Sequence, residues 1–236
     1  MKIQYCDNNK QMSYLAADSI VSDLKLRSKQ LICAATGNSP IGIYTKLEEF
    51  YQDHPDYFID LSIIKLDEWG GLKNNVVNSC ETYIRNKILQ PLHISDNRYI
   101  SFNSEDLMVK KECERVQKEI DTRGPIDICI LGLGKNGHIG LNEPEEFITP
   151  GCHIAQLSQT SQQHEMTNNM VKKPIYGYTL GMRDILLSKK IILLITGPAK
   201  EKIIKQFLTK KITSQLPVSF LWLHSNVECY IDSERL

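Results

Sequence analysis

Strand-length apolar runs alternate with stretches of helical periodicity along most of this chain. Met12, Leu15, Ala16, Ile20 and Leu24 recur at the spacing of one helix face, which predicts an amphipathic helix over roughly Asn9 to Arg27. Leu31 to Ala35 reads as a compact apolar strand, followed by the loop Thr36-Gly37-Asn38-Ser39-Pro40 and a helix carrying Ile41, Tyr44 and Leu47. Ile63 to Leu66 predicts another buried strand, ending at Asp67-Glu68. A helix near Glu81 to Leu89, a strand around Arg98 to Ser101 and a helix from about Glu105 to Thr122 follow. Ile126 to Leu131 is the clearest buried strand and runs straight into Gly132-Leu133-Gly134. Beyond it the pattern predicts a strand near His153 to Leu157 and helical segments before and after Pro174. The strand Ile191 to Ile195, a helix from Ala199 to about Leu208, and apolar runs at Phe220 to Leu223 and Val227 to Ile231 complete it.

Short apolar strands alternating with helices imply an α/β fold, a mostly parallel sheet covered on both faces. Ligands of such sheets collect in the loops that follow the carboxyl ends of strands. The three most informative loops here each follow a predicted strand. No Pro/Gly/Ser-rich linker, charge block, low-complexity tract or internal repeat divides the 236 residues, so residues 1–236 read as a single domain.

Charge changes this picture only by exclusion. Lys plus Arg and Asp plus Glu number 28 each, so no net field favours nucleic acid or an anionic membrane, although a local pocket for a small anion remains open. Met1 to Tyr5 is too short and mixed for a signal peptide, and the longest apolar runs are strand-sized. The seven cysteines are odd in number and include no CxxC pair, which suits reduced, mostly buried thiols in a cytoplasmic protein.

Candidate chemistry sits in the three loops. Small residues in Ala35 to Gly42 let the backbone approach a ligand, and hydroxyls with helix-start amides suit a phosphate; by itself the loop is equally a capped turn. Lys65-Leu66-Asp67-Glu68-Trp69-Gly70-Gly71 places adjacent carboxylates at a strand end beside an aromatic ring that can raise a carboxyl pKa, as a general base requires. In isolation the same residues would simply start a solvated loop. Gly132 to Pro144 opens as GxGxxG after a strand, but Gly140 and Pro144 break any helix that a dinucleotide site would need. The next strand also lacks the acidic residue expected to take the ribose. Three glycines around His138, with Glu143 five residues on, instead form a loop built to present side chains. A carboxylate partner is expected to fix the tautomer of His138 and raise its pKa.

With these residues quoted, a resemblance emerges. Gly132-Leu133-Gly134-Lys135-Asn136-Gly137-His138-Ile139-Gly140-Leu141-Asn142-Glu143-Pro144 resembles the signature of the glucosamine-6-phosphate deaminase family. Leu66-Asp67-Glu68-Trp69 with Gly71-Leu72 resembles its second signature, and Ala35-Thr36-Gly37 with Pro40 its phosphate loop. The likeness runs in order along essentially the whole chain. It implies a modified Rossmann-like three-layer α/β/α sandwich, and an enzyme without metal or redox cofactor that isomerises and deaminates an amino-sugar 6-phosphate. On this resemblance Asp67 is the base moving a proton between C2 and C1, and His138, held by Glu143, opens the pyranose ring at O5. Asn136 stands where many members have Asp and becomes an orienting residue. Thr36, Gly37, Asn38, Ser39, Gly137 and Lys200 bind substrate or phosphate.

One position departs from the family pattern: Thr167 aligns with a phosphate-binding arginine, and His164 is expected to replace it in part. Gln162 to Met166, Cys152 to Leu157 and Pro217 to Asn226 resemble the galactosamine-6-phosphate deaminase/isomerase branch. That branch implies galactosamine 6-phosphate as substrate, with glucosamine 6-phosphate as the alternative. A 6-phosphogluconolactonase is disfavoured by the Asn-Glu-Pro ending of the His138 loop, and a non-catalytic sugar-phosphate sensor by the presence of Asp67, His138 and Glu143. The partner expected is therefore a small amino-sugar phosphate. The oligomeric state stays open, a homo-oligomer included, although the short end after Asn226 points to a small, non-allosteric assembly.

Overall fold

The computed structural model describes residues 1–72, 76–105, 108–168, 170 and 173–235. Seven strands form one sheet in the order β1 (Lys2–Cys6), β10 (Val227–Asp232), β9 (Lys190–Ile195), β6 (Ile128–Gly132), β2 (Leu31–Ala34), β3 (Ser62–Lys65) and β5 (Tyr99–Ile100). Every neighbouring pair in it is parallel.

Side chains alternate between the two faces of each strand. Ile32, Ala34, Ile63, Ile128, Ile130, Ile192 and Leu194 point into one core, closed by Met12, Ile20 and Leu24 of α1 (Asn9–Leu26) and Ile43 and Leu47 of α2 (Ile41–Asp53). Ile84 of α3 (Cys80–Ile84) and Ile88 of the π-helical turn that continues it complete that layer. Leu31, Cys33, Ile64, Cys129, Leu131, Ile191 and Leu193 point the other way, against Val116 and Ile120 of α4 (Val109–Arg123) and Ile204 and Phe207 of α7 (Glu201–Leu208). Burial on both faces explains why these strands read as unbroken apolar runs. Three layers result: helices, sheet, helices.

From β2 the chain moves outward through β3 to β5, then returns to the opposite side of β2 with β6 and continues outward through β9 and β10. The direction therefore reverses between β2 and β6. The loops leaving these two strands diverge there and open a crevice at the carboxyl edge of the sheet.

A second, antiparallel sheet borders this edge, in the order β4 (Asp67–Trp69), β8 (Tyr176–Thr179), β7 (His153–Gln156). One residue, Leu66, joins it to the main sheet: its N–H still bonds Ala34 O at 3.1 Å, while its carbonyl accepts from Leu180 N at 2.9 Å.

The structure departs from the sequence pattern in several places. Lys2–Cys6 is an edge strand, its mixed composition reflecting one exposed side. The segment after Pro174 is β8 before it is helical, with α6 (Met182–Leu186) following; Tyr-Gly-Tyr-Thr is too short to show a period. Among the described residues, the helical segment before Pro174 comprises α5 (Gln159–Gln162) and a 3-10 turn, Glu165–Thr167. The run at Phe220 to Leu223 belongs to a 3-10 helix, Pro217–Leu223. The predicted start of the fourth helix covers residues 106–107, which lie outside the described residues. Among the described residues, no helix is long and apolar enough to cross a membrane.

Candidate active site

Asp67 and Glu68 do not share a loop, as their adjacency suggests; they are successive residues of strand β4 and point to opposite faces. Glu68 turns inward. Its carboxylate accepts from the backbone of Trp69 (2.9 Å), Cys80 (3.0 Å) and Glu81 (2.7 Å), and from Lys65 Nζ at 2.7 Å. Lys65 reaches Glu81 as well, also at 2.7 Å, and donates to Phe102 O. Tyr99 and Arg85 complete the partners of Glu81. Lys65, Glu68, Glu81 and Tyr99 are buried and fasten the start of α3 beneath β4, with Arg85 half-exposed at the edge. Lys65 was absent from the predicted site. Its signal was a lysine inside the apolar strand Ile63-Ile64-Lys65-Leu66, which demands a counter-charge nearby.

Asp67 faces the site and is 9% exposed. Burial and the neighbouring Glu68 charge push its carboxyl up to about 7, while Lys65 and the Cys80 thiol act in the opposite sense. The carboxyl can therefore both accept and return a proton near neutrality.

His138 lies in the loop after β6. Its ring rests on Gly134, where a Cβ would meet Nε2 and Cε1 at 2.4 Å, so only glycine fits there. Gly137, at φ +91°, turns the chain just before it. Asn136 Oδ1 lies 2.7 Å from His138 Nδ1, and Asn136 Nδ2 donates to Glu143 Oε2 at 2.7 Å. Glu143 thus fixes which way the amide faces. The amide oxygen accepts from Nδ1–H, leaving Nε2 of the neutral ring open. Ser158 and Ser161 add polar contacts at 3.3 Å to Asn136 and to Nδ1.

Two expectations are corrected here. Glu143 does not hold His138 directly, since it stands 3.7 Å from Nδ1 and acts through Asn136. Nor is the imidazole pKa raised: burial pushes it down, with Lys200 and His164 adding to that, and these outweigh the pull of Glu143.

The Thr36 to Gly42 loop follows β2. Gly37 (φ +89°) and the α2 start at Pro40 have no side-chain cap, so backbone amides at this helix start remain available to an anion. Thr36 Oγ1 contacts Cys80 Sγ at 3.5 Å, and Asn38 Nδ2 donates to Glu165. Ser39 sits beside Gly132, so the loops of β2 and β6 touch across the crevice.

Lys200, in the turn between β9 and α7, is 8% exposed and lacks an ion-pair partner among the described residues. Burial, then Lys135, push its ammonium down to about 8, outweighing the opposing pull of the Glu165 charge. His164 stands against Gly37, 3.5 Å from where a Cβ would lie, and beside Trp69. Its Nδ1 accepts from Met166 N at 3.3 Å, which leaves Nε2–H toward Gly37. Thr167 is buried and closes its own turn onto Gln162 O and His164 O. Contacts thus join the Thr36 loop to Asp67 through Cys80 and to His164 through Gly37, while His164 and Lys200 are close enough to act electrostatically on His138.

The sequence pattern of the glucosamine-6-phosphate isomerases/6-phosphogluconolactonase family matches residues 9–230. The chain belongs to that family. It is 41% identical over 98% of its length to AgaI of Escherichia coli (strain K12), a protein assigned as a deaminase, covering 92% of that relative. Glucosamine-6-phosphate deaminase 1 of Bacillus subtilis (strain 168) is 31% identical over 99% of this chain and 98% of its own. The fold superposes on a monomeric glucosamine-6-phosphate deaminase of the same superfamily with a TM-score of 0.92, at 31% identity and 99% and 98% coverage. A 6-phosphogluconolactonase from Trypanosoma cruzi, 18% identical, shares the fold with a TM-score of 0.79 over 99% and 94% of the two chains. This chain therefore shares the glucosamine-6-phosphate isomerase fold, with its mostly parallel seven-stranded sheet and the crevice at its edge.

Proposed function

We propose that this enzyme converts galactosamine 6-phosphate to tagatose 6-phosphate and ammonia. The observation that carries the reading is a buried carboxyl, Asp67, raised to about 7, and a buried imidazole, His138, lowered from its ordinary value, on segments that follow strands at the same edge of the sheet. Lys200, His164 and the amides at the start of α2 hold the 6-phosphate. Nε2 of His138, its tautomer set by Asn136 and Glu143, exchanges the proton at O5 and opens the ring. Asp67 takes the proton from C2 to give an enolamine and returns it to C1. Water adds to the resulting C2 ketimine, and the C2–N bond breaks to release ammonia.

The galacto preference rests on the branch resemblance of Cys152 to Leu157, Gln162 to Met166 and Pro217 to Asn226; the gluco epimer, giving fructose 6-phosphate, is the second reading. Seven unpaired cysteines fit a reducing, cytoplasmic setting. Ammonia release from each amino-sugar phosphate, without added cofactor, tests the assignment. Faster turnover of galactosamine 6-phosphate is expected. A gluco preference would overturn the substrate, and silence on both would overturn the activity.

A further inference from the structure

The carboxylate of Asp67 meets a single side-chain hydrogen-bond donor among the described residues, and that donor is a thiol. Cys80 Sγ lies 3.8 Å from Asp67 Oδ1 and 3.5 Å from Thr36 Oγ1. The thiol is 1% exposed. Burial, together with the charges of Glu68 and Asp67, pushes it well above the ordinary thiol range, so it stays S–H at neutral pH. It therefore donates to Asp67 while the Thr36 hydroxyl donates to sulfur. Cys80 is not free to drift. As the first residue of α3 it is held by Glu68 Oε1, which accepts its backbone N–H at 3.0 Å, and Ser79 caps the same turn by accepting from Thr82 N at 3.1 Å.

Resting on the reading of Asp67 as the base, we propose that Cys80 is a positioning residue whose thiol engages Oδ1 and leaves the other carboxylate oxygen to carry the substrate proton. A bare, buried carboxylate would rotate between equivalent oxygens; one lateral donor removes that equivalence. The donor's weakness matters too. An amide or guanidinium at this place would hold the ionised form far below neutrality, whereas a thiol trims the effect of burial only slightly. The series Thr36, Cys80, Asp67 also links the phosphate loop to the base through two contacts.

The test compares pH profiles of kcat/KM and kcat for the intact enzyme, Cys80→Ala and Cys80→Ser. Loss of the donor disfavours the ionised carboxylate, so the acid limb of Cys80→Ala should move up by about half a pH unit, with kcat reduced and KM little changed. The serine hydroxyl, on a shorter bond than the thiol, falls outside hydrogen-bond reach of Oδ1, so its limb should move up as well. Limbs unmoved in both variants would overturn the proposal. If the alanine variant does not fold, the serine profile decides alone: an upward shift supports the role and an unmoved limb removes it. Asp67→Asn measured in parallel separates the two levels. Full activity there would remove the base itself, whereas an inactive Asp67→Asn beside unmoved Cys80 profiles would remove only the role of the thiol.

Discussion

The two groups proposed to handle protons stand on opposite kinds of support. Asp67 sits on a strand of the small antiparallel sheet, backed by the buried charges of Lys65, Glu68 and Glu81, with half-exposed Arg85 at their margin. His138 sits on a glycine loop of the large parallel sheet, backed by a relay in which a neutral amide separates it from the one nearby carboxylate. Burial dominates both, but in opposite senses: it raises the Asp67 carboxyl to about 7 and lowers the His138 imidazole. Charged backing makes the first region sensitive to the loss of any member. Amide backing makes the second sensitive mainly to orientation.

The largest effect should come from Asp67→Asn, which keeps the shape of the base and removes its proton affinity. kcat should fall by about 10² to 10⁴, the usual contribution of a positioned acid or base. Stability should move the other way. The folded carboxyl titrates at about 7 against an ordinary 3.8, so ionisation penalises the native state, and that penalty grows as pH rises from about 4 and is complete above about 7. Removing the carboxylate should therefore stabilise the protein at pH 8 by about 2 to 4 kcal/mol and leave it unchanged near pH 4. Urea denaturation at the two pH values reads both. Equal stability of variant and parent at pH 8 would mean that Asp67 ionises freely.

The second effect is Lys65→Met, aimed at the support of Asp67. Glu68 and Glu81 would then lack their shared cation, and breaking a buried pair in this way destabilises by about 3 to 5 kcal/mol. The loss should shrink at acid pH, where the carboxylates protonate, and the acid limb of kcat/KM should rise because Lys65 opposes the effect of Glu68 on Asp67. Thermal unfolding against pH checks the first half. A uniform loss at all pH values would assign Lys65 to packing alone.

The contrast between the regions also explains what the sequence made legible. The parallel sheet and its three loops were readable because strands buried on both faces announce themselves as apolar runs, and turn glycines such as Gly37 and Gly137 mark the chain where it must take positive φ. The small sheet was not. β4 and β8 are three and four residues long, and their pairing is between segments far apart in sequence, so no local period reports it. The opposite orientations of Asp67 and Glu68 follow from that hidden strand. The missed contacts differ in reach: Lys65 to Glu68 spans three residues across the bend into β4, whereas Cys80 to Asp67 depends on where α3 starts. The direction of the His138 shift was misread for a different reason: the sequence displays the carboxylate at Glu143, while burial, Lys200 and His164 act only once the loops assemble.

The smallest effect is the sharpest comparison. Asn136→Asp would give the His138 region the charged backing that Asp67 has. The new carboxylate would take the place of an amide 2.7 Å from both Nδ1 and the Glu143 oxygen. Two carboxylates so close cannot both ionise beside a neutral ring, so one proton is retained by the pair or taken by the imidazole. Either way the region binds a proton more tightly. The imidazole titration, followed by the Cε1–H resonance in NMR, should move up by about one pH unit, while activity at neutral pH changes by less than about tenfold because an aspartate can still accept from Nδ1–H. A titration that stays in place would show that burial alone, and not the neutrality of Asn136, holds the histidine down.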